Sequence, residues 1–206
     1  MALVKYNNNS LSSVTSAASF PSGAMTHIKT LTASSSATLS FVDGSSDVVL
    51  DDTYPVYIFK FISIHQETNN QDFSFQASTN TGSSYGVTCT STIFKAYHDE
   101  GDSYTSLGYD TGSDIAQGTG FKRLMKLSNG NDESGSGTLY LFNPSSTTFV
   151  KHFMGECLCI NSNTYTQSEY TAGYFNTTSA IDAIQFKFSS GDIDSGTIKL
   201  YGLKDS

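Results

Sequence analysis

The segment VYIFKFISIH, residues 56–65, is the strongest strand signal in the chain, and DFSFQAS follows it at residues 72–78. The second segment alternates Phe73, Phe75 and Ala77 with polar neighbours, as expected for a strand with one buried face. The stretch QETNNQ between the two segments has the composition of a turn. Because long runs rich in alanine, leucine, glutamate and lysine are absent, these short segments decide the fold class.

Eight further segments of the same kind follow each other along the chain, and each is bounded by residues typical of turns. They are THIKTLTAS, ATLSFV, GVTCTSTIFKAYH, FKRLMKLS, GTLYLFNP, TTFVKHFMGECLCINS, IDAIQFKFSS and GTIKLYGL. About ten strands in one domain require two facing sheets or a closed barrel, since a single open sheet would leave one apolar face in water. We predict an all-β protein, a single antiparallel, jelly-roll-like β-sandwich over residues 26–206.

Short connections predict that strands adjacent in sequence are antiparallel. THIKTLTAS and ATLSFV form one predicted pair, and NGNDESGS has the composition of a hairpin loop between FKRLMKLS and GTLYLFNP. In the segment IDAIQFKFSS, the alternation predicts that Ile184, Phe186 and Phe188 point inward. GTIKLYGL repeats the pattern with Ile198 and Leu200, and its alternation extends to Gly202.

Two stretches fall outside the strand pattern. Residues 1–25 are polar and contain Pro21 and Gly23, so we predict an extended N-terminal arm, which docks either on a neighbouring subunit or on its own domain. Residues 99–120 contain five glycines and four aspartates and form the longest predicted loop. Loops of this length in a compact domain are usually functional or contact a partner.

The charge and the apolar content of the chain exclude some classes of partner. The formal net charge is -8 and Arg123 is the single arginine, so direct binding of nucleic acid is not expected. The N-terminal sequence lacks the apolar stretch of a secretory signal, and no segment is long and apolar enough for a membrane span. We therefore predict synthesis in the cytoplasm without export and no membrane insertion. Cys89, Cys157 and Cys159 are predicted to be buried free thiols.

Three residues of the predicted loop are candidates for sugar binding. Tyr104 and Tyr109 could stack on a pyranose ring, and Asp110 could accept hydrogen bonds from sugar hydroxyls. Packing in the core or between subunits is the alternative role for these tyrosines. The absence of tryptophan, the strongest stacking residue, counts against a dedicated carbohydrate-binding module.

The same loop contains the acidic residues Asp99, Glu100 and Asp102, which are weak candidates for a calcium site. Solvated surface charge is the alternative, and their spacing does not match an EF-hand. No GxSxG, P-loop or dinucleotide motif is present, and no pair of carboxylates stands out as the acid and base of a glycosidase. We predict no catalytic residue, no cofactor and no enzymatic activity.

The C-terminal segment AIDAIQFKFSSGDIDSGTIKLYGLKDS, residues 180–206, resembles the closing hairpin of structural proteins of roughly 200 residues in tailed phages of marine bacteria. VYIFKFISIH, after the turn-like DDTYP, is similar to an early strand of the same group. These segments cover about a quarter of the chain and contain no catalytic residue. The resemblance implies a virion component, either on the tail as a fibre or receptor-binding part or on the capsid exterior as decoration or cement.

From these observations we predict a non-enzymatic bacteriophage virion surface protein that assembles as an oligomer, with a homotrimer as the expected form. Its expected partners are copies of itself, other virion proteins and a host-surface glycan. A glycan-binding, lectin-like module is the main alternative, and a polysaccharide depolymerase is the third hypothesis.

Overall fold

The computed structural model describes residues 25–204, which form 13 strands and no helix. The arm predicted for residues 1–25 lies outside the described residues, except for Met25, with which the first strand begins. The strands are β1 (Met25–Thr32), β2 (Leu39–Val42), β3 (Val56–Gln66), β4 (Gln71–Ser78), β5 (Cys89–His98), β6 (Thr105–Tyr109), β7 (Ile115–Gly118), β8 (Lys122–Leu127), β9 (Gly135–Phe142), β10 (Lys151–Ile160), β11 (Thr166–Phe175), β12 (Ala183–Phe188) and β13 (Ile193–Leu203).

The strands form two antiparallel sheets, which confirms the predicted all-β sandwich. The nine-stranded sheet has the order β1-β13-β3-β9-β10-β11-β5-β6, with β7 also paired to β5. The four-stranded sheet has the order β2-β12-β4-β8. The number of strands exceeds the prediction because β6 and β7 lie within residues 99–120, which were predicted to be a loop, and because β11 forms from a segment with a weak strand pattern.

Most short connections cross from one sheet to the other. Strands β1 to β4 alternate between the two sheets, as do β8 with β9 and β12 with β13. The predicted pair of β1 with β2, the predicted hairpin of β8 with β9 and the closing hairpin are therefore wrong. A few polar residues can span the roughly 10 Å between packed sheets as well as the roughly 5 Å between paired strands, so composition does not distinguish the two paths.

Eight strands form four nested antiparallel pairs: β1 with β13, β2 with β12, β3 with β9 and β4 with β8. The remaining strands come from two insertions in this arrangement, β5 to β7 between β4 and β8, and β10 to β11 between β9 and β12. Both insertions extend the nine-stranded sheet at its β9 side. We call β5, β6, β7, β10 and β11 the added strands.

The core between the sheets is built mainly from phenylalanine. Phe186 of β12 lies at its centre, with ring centroids 5.3 Å from those of both Phe59 and Phe61 and 5.9 Å from that of Phe73. The inward positions predicted for β12 are fully buried or nearly so, as are those predicted for β4, which confirms the alternation of both strands. The prediction that β4 has only one buried face is wrong, because its other face is also buried, and Gln76 there donates hydrogen bonds to the carbonyl oxygens of residues 119 and 120.

The two segments that carry the family resemblance touch each other in the fold. Tyr54, from the DDTYP turn, packs against the backbone of Gly202 in β13, where a side chain would overlap its ring. Gly202 lies on the inward face of its strand, as its alternation with Ile198 and Leu200 predicts, and all three residues are buried. The tyrosine–glycine contact therefore explains why the last strand requires a glycine at this position.

A group of ion pairs lies where β8, the edge strand of the four-stranded sheet, meets the inner face of the nine-stranded sheet. Arg123 of β8 donates to Glu169 of β11 across 2.9 Å and to Asp110 across 2.5 Å, and Lys95 of β5 lies 2.6 Å from the same Asp110 oxygen. Burial raises the pKa of Glu169 despite the opposing charge of Arg123. Burial acts in the same direction on Asp110, but the hydrogen bonds from Lys95 and Arg123 outweigh it and hold the pKa of that carboxyl well below its ordinary value.

Candidate functional site

The three residues predicted to bind sugar lie at different places. The Tyr104 side chain is about half exposed at the turn between β5 and β6. Tyr109 ends β6 on the outer face of the nine-stranded sheet, opposite Phe94, and its hydroxyl donates to Asp114 across 2.8 Å. Asp110 is occupied by its bonds to Lys95 and Arg123. The structure does not bring these residues into one site.

The acidic residues predicted as weak calcium ligands lie in or beside the turn before β6, and Asp99 stabilises that turn. One oxygen of Asp99 accepts the backbone N–H groups of Ser103 and Tyr104 at 2.8 and 2.7 Å, and its other oxygen accepts the Ser103 hydroxyl. These bonds hold the pKa of Asp99 below its ordinary value. Asp102 lies 3.2 Å from His98, and Glu100 borders a shallow cleft beside it. Within residues 25–204, no three His, Cys, Asp or Glu side chains are arranged to hold a metal ion.

The outer face of the added strands carries large apolar side chains. The strand β10 alternates buried residues, including Phe153 and Cys157, with the exposed Met154 and Leu158, so both of its faces are apolar. The prediction that the three cysteines are buried and free is confirmed. We define the outer apolar face as Phe94, Leu107, Tyr109, Tyr140, Met154, Leu158 and Tyr170.

Strand register places these residues side by side. Tyr170 of β11 lies opposite Phe94 of β5, and their rings stack with centroids 4.9 Å apart. Met154 pairs with Tyr140 on one side and with Ala172 on the other. Residues directly opposite each other in antiparallel strands share a face, so Phe94 with Tyr170 and Met154 with Tyr140 form two apolar pairs on the outer face. Leu158 lies on the same face, opposite Ser136 and Ser168.

A groove crosses the outer apolar face where small side chains meet. Ala172 lies opposite Thr92, and the larger Phe94, Met154 and Tyr170 border the space above them. The groove has a volume of about 350 Å³, and Glu156 supplies a carboxylate at its edge. This surface combines apolar and aromatic groups with one charge, a composition typical of protein interfaces.

A second, more polar pocket lies at the end of the added strands. It is lined by Tyr97, Tyr104, Asn161, Asn163 and Tyr165, and has a volume of about 330 Å³. Its residues come from β5 and from the two neighbouring turns, between β5 and β6 and between β10 and β11. We call it the tyrosine pocket.

The tyrosine pocket includes Tyr104 but otherwise differs from the set predicted from the sequence. Tyr97 and Tyr165 were missed because each lies at the edge of a strand-like segment, where a tyrosine is ordinarily a packing residue. Long-range pairing of β5 with β11 brings them together, and no local pattern predicts that pairing. A sequence signal for the outer apolar face exists in β10. Its segment KHFMGECLCI has apolar residues on both faces of one strand, which indicates that the exposed face is apolar.

Comparison of the chain with protein-family models, with curated proteins and with solved structures gave no match. The described residues 25–204 contain no helix with the length and apolar character needed to cross a bilayer. The resemblance to phage structural proteins stays a prediction from the sequence.

Proposed function

We propose that the protein is a non-enzymatic structural component of the surface of a phage particle, and that it assembles with copies of itself through the outer apolar face. The observation that carries the proposal is the exposure of this face. Leu107 is 75 % exposed, Leu158 57 % and Met154 51 %, and all three belong to strands of one sheet. Several large apolar side chains exposed on one face of a sheet, with two cross-strand apolar pairs among them, indicate an interaction site.

The strand order supports a structural role by analogy. The four nested antiparallel pairs, with the strand orders β1-β13-β3-β9 and β2-β12-β4-β8, support the proposal that the sandwich is a jelly roll. Jelly rolls build viral capsid and lectin domains. Because a fold alone does not define a function, the strand order is secondary support beside the apolar face.

The environment of the acidic residues supports a non-enzymatic role. Glu169 and Asp110 are engaged by Arg123, and Asp99 caps a turn, so each of these carboxylates already has a structural function. The family resemblance of the C-terminal segment supports the phage setting, and the homotrimer is the expected assembly.

Locating the protein on particles tests the proposal. Particles of the phage that encodes the chain would be purified, analysed by mass spectrometry and labelled intact with antibodies against the protein. We expect the chain among the particle proteins and label on the outer surface, at the tail or on the capsid. Absence from purified particles, or label that binds only after particles are disrupted, would contradict the proposal.

A further inference from the structure

The tyrosine pocket is held rigidly by its two turns. Asn161, which is 9 % exposed, accepts the N–H groups of Asn163 and Tyr165 at 2.9 and 3.2 Å and donates to Gln167 across 3.0 Å. Asp99 fixes the backbone of Tyr104 in the neighbouring turn. Because both turns are braced by side chains, a ligand would lose little binding free energy to ordering of the pocket.

Three tyrosine rings converge on this space. The ring centroids of Tyr104 and Tyr165 lie 5.5 Å apart at 30°, and Tyr97 lines the same cavity from β5. Tyr97 continues the inward series of β5, at a point that the narrower four-stranded sheet does not cover. The rings therefore remain available to an external molecule.

The chemistry of the lining selects a neutral, hydroxylated ligand. None of the five lining residues carries a charge. The ammonium group of Lys95 lies 5.3 Å from the centre of the Tyr97 ring, but it is already paired with Asp110 at 2.6 Å. Aromatic rings offer a stacking surface, and phenol and amide groups both donate and accept hydrogen bonds.

We propose that the tyrosine pocket binds a neutral hexopyranose unit of a glycan. One apolar face of the sugar ring stacks on a tyrosine, while its hydroxyls bond to the phenol groups and to the Asn163 amide. The site lies at the turns of the added strands, away from the outer apolar face. It goes beyond the assembly role and does not depend on it.

Saturation-transfer NMR tests this site directly. The full-length protein would be titrated with glucose, galactose, mannose and N-acetylglucosamine, and with sorbitol as an open-chain molecule that has hydroxyls but no ring. We expect saturable transfer to at least one of the four pyranoses and none to sorbitol. Absence of saturable transfer to all four, or equal transfer to sorbitol, would overturn the proposal.

Variants locate the binding. We expect Tyr104→Ala and Tyr165→Ala each to weaken affinity roughly tenfold, the loss of about one aromatic stacking contact. Phe149→Ala is the control, because that aromatic ring is exposed in a loop outside both the pocket and the outer apolar face, and it should leave affinity unchanged. Tyr104 is an exposed turn residue, so its variant keeps the test valid if Tyr165→Ala fails to fold. Unchanged affinity in folded Tyr104→Ala protein would overturn the assignment.

The two proposals fail separately. Tyr104→Ala should leave the mass of the assembled protein unchanged, since the residue is not part of the outer apolar face. Loss of sugar binding with intact assembly therefore reports on the pocket alone.

Discussion

Arg123 is the single arginine of the chain and lies 7 % exposed between two carboxylates on different elements. A planar guanidinium can donate to both at once, which the compact ammonium of lysine does less well. The residue therefore connects the edge of the four-stranded sheet to the added strands. Its role was not visible in the sequence, where a lone arginine in a strand-like segment indicates only that the chain lacks a basic cluster.

Glu169→Gln should lower the free energy of unfolding by about 3 kcal/mol, because removing one member of a buried ion pair leaves the other charge incompletely compensated. Urea unfolding at neutral pH measures the change. Glu156→Gln is the control, since Glu156 lies on the exposed face of β10 and makes no ion pair within residues 25–204. Equal stability of Glu169→Gln and the wild type would contradict a structural role for the pair.

The buried Lys122 is expected to make the free energy of unfolding depend on pH in the alkaline range. Burial, together with the charge of Arg123, lowers the pKa of Lys122 to about 8. In the unfolded chain this pKa is about 10.4. Between these values the unfolded state binds more protons than the folded state, so the contribution of Lys122 to the free energy of unfolding rises with pH.

The wild type should therefore gain stability relative to Lys122→Met between pH 8 and pH 10, by about 2–3 kcal/mol. Urea unfolding of both proteins at the two pH values, each in a Cys89→Ala background, measures the difference. The background is needed because burial raises the pKa of the Cys89 thiol and the charge of Lys122 lowers it, so the titration of that cysteine would not cancel. A difference that stays constant, or falls, with pH would show that Lys122 keeps an ordinary pKa in the folded protein.

At the scale of the elements, sequence patterns predicted ten of the 13 strands, and all of these except β1 contain buried residues. The segment YTQSEYTAGYFNTTS, which forms β11, has a weaker strand pattern. The short β6 and β7 were missed because glycines and aspartates mask their pattern and because they pair only at the edge of the sheet, with β5. The pairing of strands could not be predicted from the turns between segments. It depends on the sheet to which each segment belongs, and consecutive segments mostly belong to different sheets.

Gly196 in β13 permits a bulge in the pairing of β13 with its neighbour β3. Its φ is +117°, and a Cβ there would lie 2.7 Å from the backbone oxygen of Ser63 in β3, where the pairing register shifts. Gly196→Ala should therefore destabilise the fold by about 2–4 kcal/mol. Thermal unfolding compares it with Gly108→Ala, whose Cβ would meet open space. Similar melting temperatures for the two variants would contradict strain at the bulge.

The added strands carry both candidate binding surfaces. The nested pairs account for most of the phenylalanine core, whereas the outer apolar face lies chiefly on β5, β6, β10 and β11. The tyrosine pocket lies at the end of β5 and in the turns that join the added strands. Because long-range contacts build these surfaces, local patterns predicted only Tyr104, from its loop, and the outer apolar face was not predicted. We infer that the insertions supply recognition and that the eight nested strands supply stability.

At the scale of the whole molecule, the outer apolar face constrains how copies can meet. Two outer faces packed against each other would form an isologous dimer, whereas the expected trimer requires each outer face to contact a different surface of the next copy. A stable interface of either kind removes about 1,200–2,000 Å² from water. The measured mass distinguishes the two arrangements.

Light scattering across a dilution series tests self-assembly through the outer apolar face most directly. We expect the wild type to keep the mass of an oligomer, with three chains as the expected number. We expect Met154→Asp/Leu158→Asp to give a folded monomer, because two further negative charges beside Glu156 cannot be buried there without partners. Phe149→Asp, which alters a more exposed side chain in a loop outside this face, should remain oligomeric. A wild type that is monomeric at every concentration, or a double variant that assembles as the wild type does, would contradict the account.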